Sequence, residues 1–547
     1  MTKSLAKAIA LATVLGASAS AHAVNINPDG LGEVLLYSLY TAEEGNVTEI
    51  NITNTSDFAK AVKVRFVEGQ NSQDVLDFNL YLSPRDQWTG LVTTSENGEG
   101  ARLITRDTSC TAPAIPAAGV NFRDLEYTKS TYNGVEKDNR DGGNETLART
   151  RVGHLEVIEM GTLYDIEDIG LPIPGVPPLF EGLKMASAVT HDHTKSGAAG
   201  TTPADCGAVI NAFKNDTAGW GTKANRDTVA YDKAMQKNVK VNNKARNSLY
   251  GHATVLNNAN ATRMSYDAVA VANFLVGDED FKHRPVAGDG TIPGNFSIHV
   301  KTGDTEPGLN SSKATSAKTA QFSDGSQVTF DQPVQAITAL LSKENISNDY
   351  VIDTGRASQT DWVVTFPTKR FHVDADFEYS TWSGTHWEFE NNAAGLAPFA
   401  EKWNKAKGEA CNDITISYWD SEEYTKPEAD VEIDFSPSRP GHEKKPTLCY
   451  QTNIITFNDG SVLGGELLKQ NLDFAQPDFR YGWMNVAFDG VSTGVQQNGT
   501  VNGTVSGLPV IGFSATIMKN NFATPGVNNN YGSLIDHKSV VNVKSVR

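Results

Sequence analysis

Two short segments alternate acidic and apolar residues, the pattern of a β-strand that presents carboxylates on one face. Because successive side chains of a strand point to opposite faces, carboxylates spaced by two residues share a face. Calcium prefers clusters of such hard oxygen ligands, so the pattern predicts Ca²⁺ binding. A solvated outer sheet face would show the same alternation, and both interpretations stand. The candidate ligands are Asp374, Asp376 and Glu378 in the first segment and Asp430, Glu432 and Asp434 in the second.

Glycine- and aspartate-rich turns lie at residues 277–290 and add to the acidic candidates. Carboxylates in tight turns are further hard oxygen donors, so Asp278 and Asp280 are also candidate Ca²⁺ ligands. The turns lack the spacing and the terminal glutamate of an EF-hand loop. A plain acidic turn is therefore the alternative interpretation.

Five of the eight tryptophans lie between residues 362 and 419. Aromatic faces can stack on sugar rings, and Trp382 and Trp387 are the candidate glycan contacts. Core packing is the alternative interpretation of the whole group, because large aromatic side chains dominate hydrophobic cores.

His191 and His193 would share one face of an extended segment and could supply two ligands to Zn²⁺. A zinc site needs a third or fourth ligand, and none is evident nearby in the sequence. The sequence has no H-E-x-x-H, Walker or G-x-G-x-x-G motif. We therefore predict that the protein is not an enzyme, although a glycosidase that uses two carboxylates would leave no motif.

The N-terminus has the three parts of a secretory signal peptide. Lys3 and Lys7 form a positive start, a short apolar stretch follows, and residues 21–23 (AHA) match an A-x-A cleavage site. We predict that residues 1–23 are a signal peptide and that the chain is exported. No later stretch is long and apolar enough for a membrane-spanning helix.

Export makes disulfides the expected state of the four cysteines. Four cysteines allow three pairings. We favour Cys110–Cys206 and Cys411–Cys449, because sequential pairing keeps each bridge within one region. In the chain-entropy account each bridge would stabilise the fold by about 4 kcal/mol.

The 547-residue chain has 47 lysines and arginines against 65 aspartates and glutamates, a formal net charge of -18. Nucleic-acid binding needs clustered basic residues, so this balance argues against a nucleic-acid partner. It also argues against docking on anionic lipid headgroups. At 39% hydrophobic residues the chain has the composition and length to bury large cores.

Polar and apolar residues alternate with period two in many places, as at residues 48–53 and 60–67, which predicts short half-buried strands. We expect a mainly β protein with antiparallel β-sandwich-type regions, a few short helices and long loops. Residues 185–190 and 265–274 are predicted as helices. The predicted domains are 24–250 and 251–547, and the second contains an acidic excursion tied by a disulfide at 411–449.

Three stretches of the chain carry a family resemblance. They are residues 34–90 (VLLYSLYTAEEGNVTEINITNTSDFAKAVKVRFVEGQNSQDVLDFNLYLSPRDQWTG), 360–369 (TDWVVTFPTK) and 508–513 (LPVIGF). They resemble the surface-layer (S-layer) and biofilm-matrix protein family of marine gammaproteobacteria. The resemblance implies a secreted, abundant protein that self-assembles into a two-dimensional lattice on the outer membrane and is shed into the biofilm matrix. It implies no catalytic residues.

The resemblance makes another copy of the chain the expected partner, with outer-membrane lipopolysaccharide or another surface glycan as a further candidate. Ca²⁺ between acidic faces would let two carboxylate surfaces approach each other. The tryptophans favour a different class, an extracellular glycan-binding protein or adhesin. A secreted hydrolase is the third class.

Overall fold

A computed structural model describes residues 23–132, 135–163, 185–197, 200–208, 246–274, 308–310, 318–353, 357–374, 378–382, 387–391, 394–425, 446–458, 460–472, 479–495, 499–519 and 530–545. These residues form 36 β-strands, three α-helices and one 3-10 helix. The mainly β class with antiparallel sheets is therefore confirmed.

The first nineteen strands are β1 Ala23–Ile26, β2 Val34–Thr41, β3 Asn46–Asn54, β4 Ala59–Glu68, β5 Asp74–Leu82, β6 Gln87–Thr94, β7 Ala101–Ile104, β8 Cys110–Ala112, β9 Val120–Asn121, β10 Lys129–Tyr132, β11 Val135–Asp138, β12 Val152–Leu163, β13 His191–Gly197, β14 Gly200–Pro203, β15 Leu249–Asn257, β16 Thr262–Asp267, β17 Val269–Ala272, β18 Thr319–Gln321 and β19 Gln327–Thr329. The others are β20 Ser342–Lys343, β21 Asn345–Val351, β22 Gln359–Thr365, β23 Glu378–Trp382, β24 Trp387–Asn391, β25 Asn412–Asp420, β26 Thr447–Leu448, β27 Thr452–Phe457, β28 Lys469–Leu472, β29 Tyr481–Phe488, β30 Val491–Val495, β31 Val501–Ser506, β32 Leu508–Pro509, β33 Phe513–Met518, β34 Tyr531–Asp536, β35 Lys538–Val540 and β36 Asn542–Ser545. The helices are α1 Met185–Val189, α2 Pro333–Leu341, α3 Arg370–Val373 and the 3-10 helix Leu147–Arg151.

The first sandwich encloses a core between a nine-stranded sheet, in the order β19-β18-β1-β17-β2-β12-β4-β5-β8, and a six-stranded sheet, in the order β16-β15-β3-β6-β7-β9. On β4, Val62, Val64 and Phe66 are fully buried in this core. Phe78 of β5 and Trp88 of β6 pack across it with ring centroids 5.7 Å apart. Each such side chain contributes about 1.5–3 kcal/mol through burial, so this core is a main source of stability.

The second sandwich consists of two five-stranded sheets, β26-β25-β29-β21-β35 and β28-β27-β22-β33-β34. Tyr350 of β21 and Phe457 of β27 stack across its core with ring centroids 5.6 Å apart. Strand β22, at the centre of its sheet, is buried on both faces. Trp362 and Val364 enter the second core, whereas Val363 packs in the first. This middle sheet therefore belongs to both sandwiches and joins them.

The first sandwich draws strands from both sides of the domain boundary suggested by the sequence. Residue 250 lies inside β15, which pairs along its whole length with β3. β16 continues the six-stranded sheet, and β17, β18 and β19 belong to the nine-stranded sheet. The chain thus returns to its first sheets after residue 250 before it builds the second sandwich.

Strand β4 is buried on both faces, although its alternation predicts a half-buried strand. On the face away from the first core, Lys63 forms a fully buried ion pair with Asp77 of β5. Arg65 lies 3.4 Å from both Asp74 and Glu156. Burial raises the pKa of Glu156 to about 7, despite the opposing charge of Arg65. Charges in this position require partners, because an unpaired buried charge costs several kcal/mol.

A buried cluster around Arg149 (the Arg149 cluster) connects the two sandwiches. Arg149 Nη1 and Nη2 donate hydrogen bonds to the two carboxylate oxygens of Asp141, at 2.8 and 2.6 Å. Nη2 also donates to Glu68 Oε1 at 2.9 Å, and the guanidinium lies 4.3 Å from the ring centroid of Tyr127. The backbone carbonyl of Asp141 accepts a hydrogen bond from Trp403 Nε1 at 2.7 Å, which attaches a side chain of the second core.

The helices are short, and one helix prediction is wrong. α1 confirms the helix expected at residues 185–190, but residues 265–274 contain the end of β16 and all of β17, because Ala270 and its neighbours pair with β2. The unpredicted α2 starts with Pro333 and with a capping box between Gln332 and Gln335. None of the described helices is long and apolar enough to cross a membrane.

Both favoured disulfides are confirmed. Cys110–Cys206 joins residues 96 apart in the sequence, and Cys411–Cys449 joins residues 38 apart. The first bridge attaches the region after α1 to β8, an outermost strand of the nine-stranded sheet. Most of the acidic excursion closed by the second bridge, residues 426–445, lies outside the described residues.

The Arg149 cluster generates a stability prediction. Replacing Arg149 with methionine leaves the carboxylates of Glu68 and Asp141 buried without their main partner, so we expect a loss of about 3–5 kcal/mol in the free energy of unfolding. Arg149→Lys should recover only part of it, because a lysine cannot form the bidentate contact. Urea unfolding followed by tryptophan fluorescence measures both.

Arg140→Met is the matched control, since Arg140 pairs with Asp138 on the surface. We expect no measurable change for that variant. Equal stability of Arg149→Met and Arg140→Met would show that the Arg149 cluster does not hold the sandwiches together.

Candidate functional site

The structure removes one predicted Ca²⁺ ligand from the surface. Asp374 follows α3, is only 5% exposed, and its Oδ2 lies 3.0 Å from Asn71 Nδ2 and 3.7 Å from Arg370 Nε. Its expected place on a solvent-facing strand is therefore wrong, because an interior arginine neutralises it. Glu378 is the first residue of β23, and its side chain lies outside the described part. Six candidates lie outside the described residues altogether: Asp376, Asp430, Glu432, Asp434, Asp278 and Asp280.

Within the described residues, one group of three side chains has the spacing of a metal site: Glu409, Cys411 and Cys449. The two sulfurs are bonded to each other, so neither can act as a thiolate ligand. Ca²⁺ also prefers oxygen ligands, of which this group offers one carboxylate. The group therefore does not support the calcium prediction.

The two candidate glycan contacts are neighbours on a hairpin. Trp382 is the last residue of β23 and Trp387 the first of β24, and the two are directly paired across the strands. Their side chains lie outside the described part of the structure. For two other members of the group, Trp362 and Trp403, burial in the second core confirms the core-packing interpretation.

An open polar cleft of about 400 Å³ is lined by residues 83–87, residues 106–108 and the β13–β14 hairpin. His191 and His193 both line it, as their shared strand face predicts. At its edge, Ser83 Oγ lies 2.9 Å from His191 Nδ1 and 3.0 Å from Asp86 Oδ2. These are the residue types of a nucleophilic triad, so their arrangement decides what they can do.

The arrangement is not that of a catalytic relay. In a Ser–His–Asp triad the serine and the aspartate contact opposite nitrogens of the imidazole. Here Ser83 and Asp86 both approach Nδ1 of His191, at 2.9 and 3.7 Å, and Nε2 lies 3.2 Å from Thr108 Oγ1. Ser83 is also buried. These contacts hold the turn at residues 83–87, and they occupy both nitrogens that a zinc ion would need.

Sequence reasoning predicted no G-x-S-x-G motif, but one is present. Residues 490–494 (GVSTG) match the G-x-S-x-G pattern, which in α/β-hydrolases places a serine on a strand-to-helix turn. Ser492 instead lies inside β30, buried and directly opposite Val505 of β31. A serine in the middle of a hairpin strand lacks the exposed position that the motif requires.

The C-terminal segment, residues 530–545, supplies an outermost strand to three different sheets. β34 is an outermost strand of the middle sheet, and β35 is an outermost strand of the other sheet of the second sandwich. β36 is an outermost strand of a three-stranded sheet in the order β30-β31-β36. Tyr531 is 67% exposed and Ile535 43% exposed. An outermost strand offers unpaired N–H and C=O groups to another strand. No motif marks this segment, so the sequence gives no signal of it.

The three strands differ in how their edges are protected. Exposed lysines, which discourage pairing with another chain, lie on β35 (Lys538) and β36 (Lys544). β34 (YGSLID) contains neither lysine nor proline, and among the described strands only β33 is hydrogen-bonded to it. Tyr531 lies directly opposite the exposed Met518, which extends the apolar surface. β34 is therefore the candidate pairing edge.

His537, between β34 and β35, anchors the C-terminal segment. Its Nε2 lies 3.0 Å from the carbonyl oxygen of Val363 and its Nδ1 lies 3.1 Å from Asn348 Nδ2. Its ring packs 4.8 Å from that of Trp362. Burial lowers the pKa of His537 to about 4. The neutral ring therefore donates from Nε2 and accepts at Nδ1 at neutral pH.

No protein-family model, curated protein or solved structure matches the chain.

Acid should loosen the C-terminal segment. The pKa of His537 in the folded protein is about 4, below the ordinary histidine value of about 6.5. The neutral form therefore stabilises the docked segment above about pH 6.5, and this contribution is lost as the pH falls toward 4. We expect the hydrogen-exchange protection factors of residues 530–545 to fall between pH 7 and pH 5.

His537→Gln is the informative variant, because glutamine can donate and accept hydrogen bonds without titrating. Two other buried histidines, His154 and His372, also have pKa values lowered by burial, so acid weakens the whole fold as well. Only the pH dependence specific to residues 530–545 should shrink in the variant. The same dependence in both proteins would contradict the role of His537.

Proposed function

We propose that the protein is an exported structural subunit that pairs with copies of itself through β34. The copies build a two-dimensional layer on the cell surface and contribute to the biofilm matrix. The observation that carries the proposal is an outermost strand without lysine or proline beside two outermost strands with exposed lysines. A free strand edge binds another strand through main-chain hydrogen bonds, and exposed apolar side chains add to the contact.

A lattice needs contacts that do not close into a small ring, or several symmetric contacts per subunit. The C-terminal segment ends three sheets, but lysines oppose pairing at β35 and β36, so β34 supplies one strand contact and the proposed Ca²⁺ bridge supplies a second contact. Two disulfides fit an extracellular structural role, because such bonds persist in oxidising surroundings. The resemblance of residues 34–90, 360–369 and 508–513 to the surface-layer family supports the same proposal.

Charge is the main obstacle to assembly, and calcium is the proposed remedy. Copies with a formal net charge of -18 repel one another at low ionic strength. A divalent cation held between carboxylates of two subunits removes that repulsion and adds a bridge. The acidic residues 430–434 in the disulfide-tied excursion are the proposed bridging ligands.

The first assembly prediction concerns the β34 edge. Replacing Tyr531 and Ile535 together with lysine should raise the protein concentration needed for ordered sheets by about tenfold or more, because lysines on an edge oppose strand pairing. Negative-stain electron microscopy and sedimentation across a concentration series measure this threshold. Both side chains are exposed, so the monomer should keep its thermal midpoint.

Tyr250→Lys is the matched control for the edge variant. Tyr250 is also exposed, but it lies on β15, which has a strand on each side. This control should assemble like the unmodified protein. Normal assembly of the double edge variant would show that β34 is not the contact.

The second assembly prediction concerns calcium. Ordered sheets should form with millimolar Ca²⁺ and disperse when a chelator is added. The triple variant Asp430→Asn, Glu432→Gln and Asp434→Asn should need about tenfold more Ca²⁺ for the same assembly. The control is Glu422→Gln with Glu423→Gln, two exposed acids of the same excursion. Sheets that persist in chelator would remove calcium from the proposal and leave the strand contact intact.

A further inference from the structure

One face of the β26-β25-β29-β21-β35 sheet is turned away from the second core. Since successive side chains of a strand point to opposite faces, the residues that follow buried core positions point to solvent. The buried positions on three adjacent strands are Tyr418, Met484 and Tyr350. Their chain neighbours Trp419, Trp483 and Asp349 point to the other face. These three residues are in register across the three strands.

The two tryptophans stack on each other. Their ring centroids are 4.1 Å apart, and the ring planes differ by 14°. Trp419 covers one face of the Trp483 indole, so the other face is turned toward the strand that carries Asp349. Trp483 is 42% exposed, on a face that contributes nothing to the core. The open face of the Trp483 indole can stack on a flat apolar surface of a ligand.

Polar groups lie directly beside the aromatic pair. The next row across the same three strands consists of Ser417, Asn485 and Ser347. Asn485 Nδ2 donates to Ser347 Oγ at 2.8 Å, which fixes the direction of the amide. Asp349 is exposed next to Trp483. An apolar ring face and a small set of fixed polar groups therefore occur together, the combination that orients a small polar ligand.

We infer that Trp419, Trp483, Asp349 and Asn485 form a carbohydrate site for a neutral pyranose glycan. A pyranose ring has an apolar face of C–H groups, which fits the open face of Trp483, and a rim of hydroxyl groups. Those hydroxyls can donate to the Asp349 carboxylate and exchange hydrogen bonds with the Asn485 amide. Exposed Lys538 lies opposite Ser347 on the same face, but the Asp349 carboxylate beside the rings and the net charge of -18 disfavour an acidic polysaccharide. The site is separate from β34 and does not depend on self-assembly.

The test is isothermal titration of the full exported chain with hexamers of β-1,4-linked glucose, N-acetylglucosamine and galactose. Saturable binding of at least one hexamer is expected, with a change in tryptophan fluorescence. Trp483→Ala should weaken that binding about tenfold, the scale of a lost aromatic contact. Tyr531→Ala is the matched control, since Tyr531 is an exposed aromatic on another sheet.

Circular dichroism and the thermal midpoint establish that each variant is folded. If Trp483→Ala lowers the midpoint, Asp349→Ala carries the test instead, because Asp349 is exposed and its removal should also weaken binding. Failure of all three hexamers to bind, or unchanged binding in the folded variants, overturns the inference. So does tighter binding of an alginate hexamer than of any neutral one.

Self-assembly provides a separate readout. Trp483→Ala should form ordered sheets at the same protein concentration as the unmodified chain. Loss of assembly in this variant, without sugar binding by the unmodified chain, would assign the face to a second copy and overturn the carbohydrate site. Sugar binding by a chain that never assembles would retain this site and count against the proposed structural role alone.

Discussion

The buried guanidinium of Arg149 is the interaction on which the joining of the two sandwiches depends. It forms ion pairs with Glu68 and Asp141 in the interior, where removing one partner of a buried pair is strongly destabilising. Glu68 also accepts hydrogen bonds from the backbone N–H groups of residues 70, 71 and 73, which fix the conformation of the turn between β4 and β5. The same turn accepts two hydrogen bonds from Arg370 of α3. The contacts of Arg149 therefore extend through Glu68 and this turn from the first sheet to α3, in the second half of the chain.

The middle sheet also joins the two sandwiches, through many more contacts than Arg149 makes. Because its central strands are buried on both faces, the two sandwiches share a layer, and neither has a complete core without the other. Hydrogen bonds reinforce the contact, for example from Thr365 Oγ1 to the carbonyl oxygen of Ser38 at 2.7 Å. A layer of this kind also forces the remaining sheet edges to the periphery. Of the outermost strands of the second sandwich, β34 and β35 carry mostly exposed side chains.

The described surface separates two kinds of interaction. β34 presents a backbone edge, which recognises another strand with little regard for its side chains. The Trp419–Trp483 face presents side chains, and Trp483 lies on β29, which is paired with a strand on each side. The first suits repeated contact between identical subunits, and the second suits a ligand of defined chemistry. A surface protein that both assembles and holds a glycan would need two such surfaces that do not compete.

The sequence by itself determined the β class and favoured the correct cysteine pairs, because alternation and cysteine order are local properties of the chain. Alternation also assigns residues to the same face of a strand, but it does not say what covers that face. Alternation therefore predicts that Lys63 and Arg65 face solvent, but both are buried in ion pairs. It also predicts Asp374 as a surface ligand, but Asp374 is buried beside Arg370. Only the tertiary structure decided which strands end a sheet. β34, β35 and β36 are edges because of their neighbours, and those neighbours come from distant parts of the chain, where pairing depends on the packing of the whole molecule.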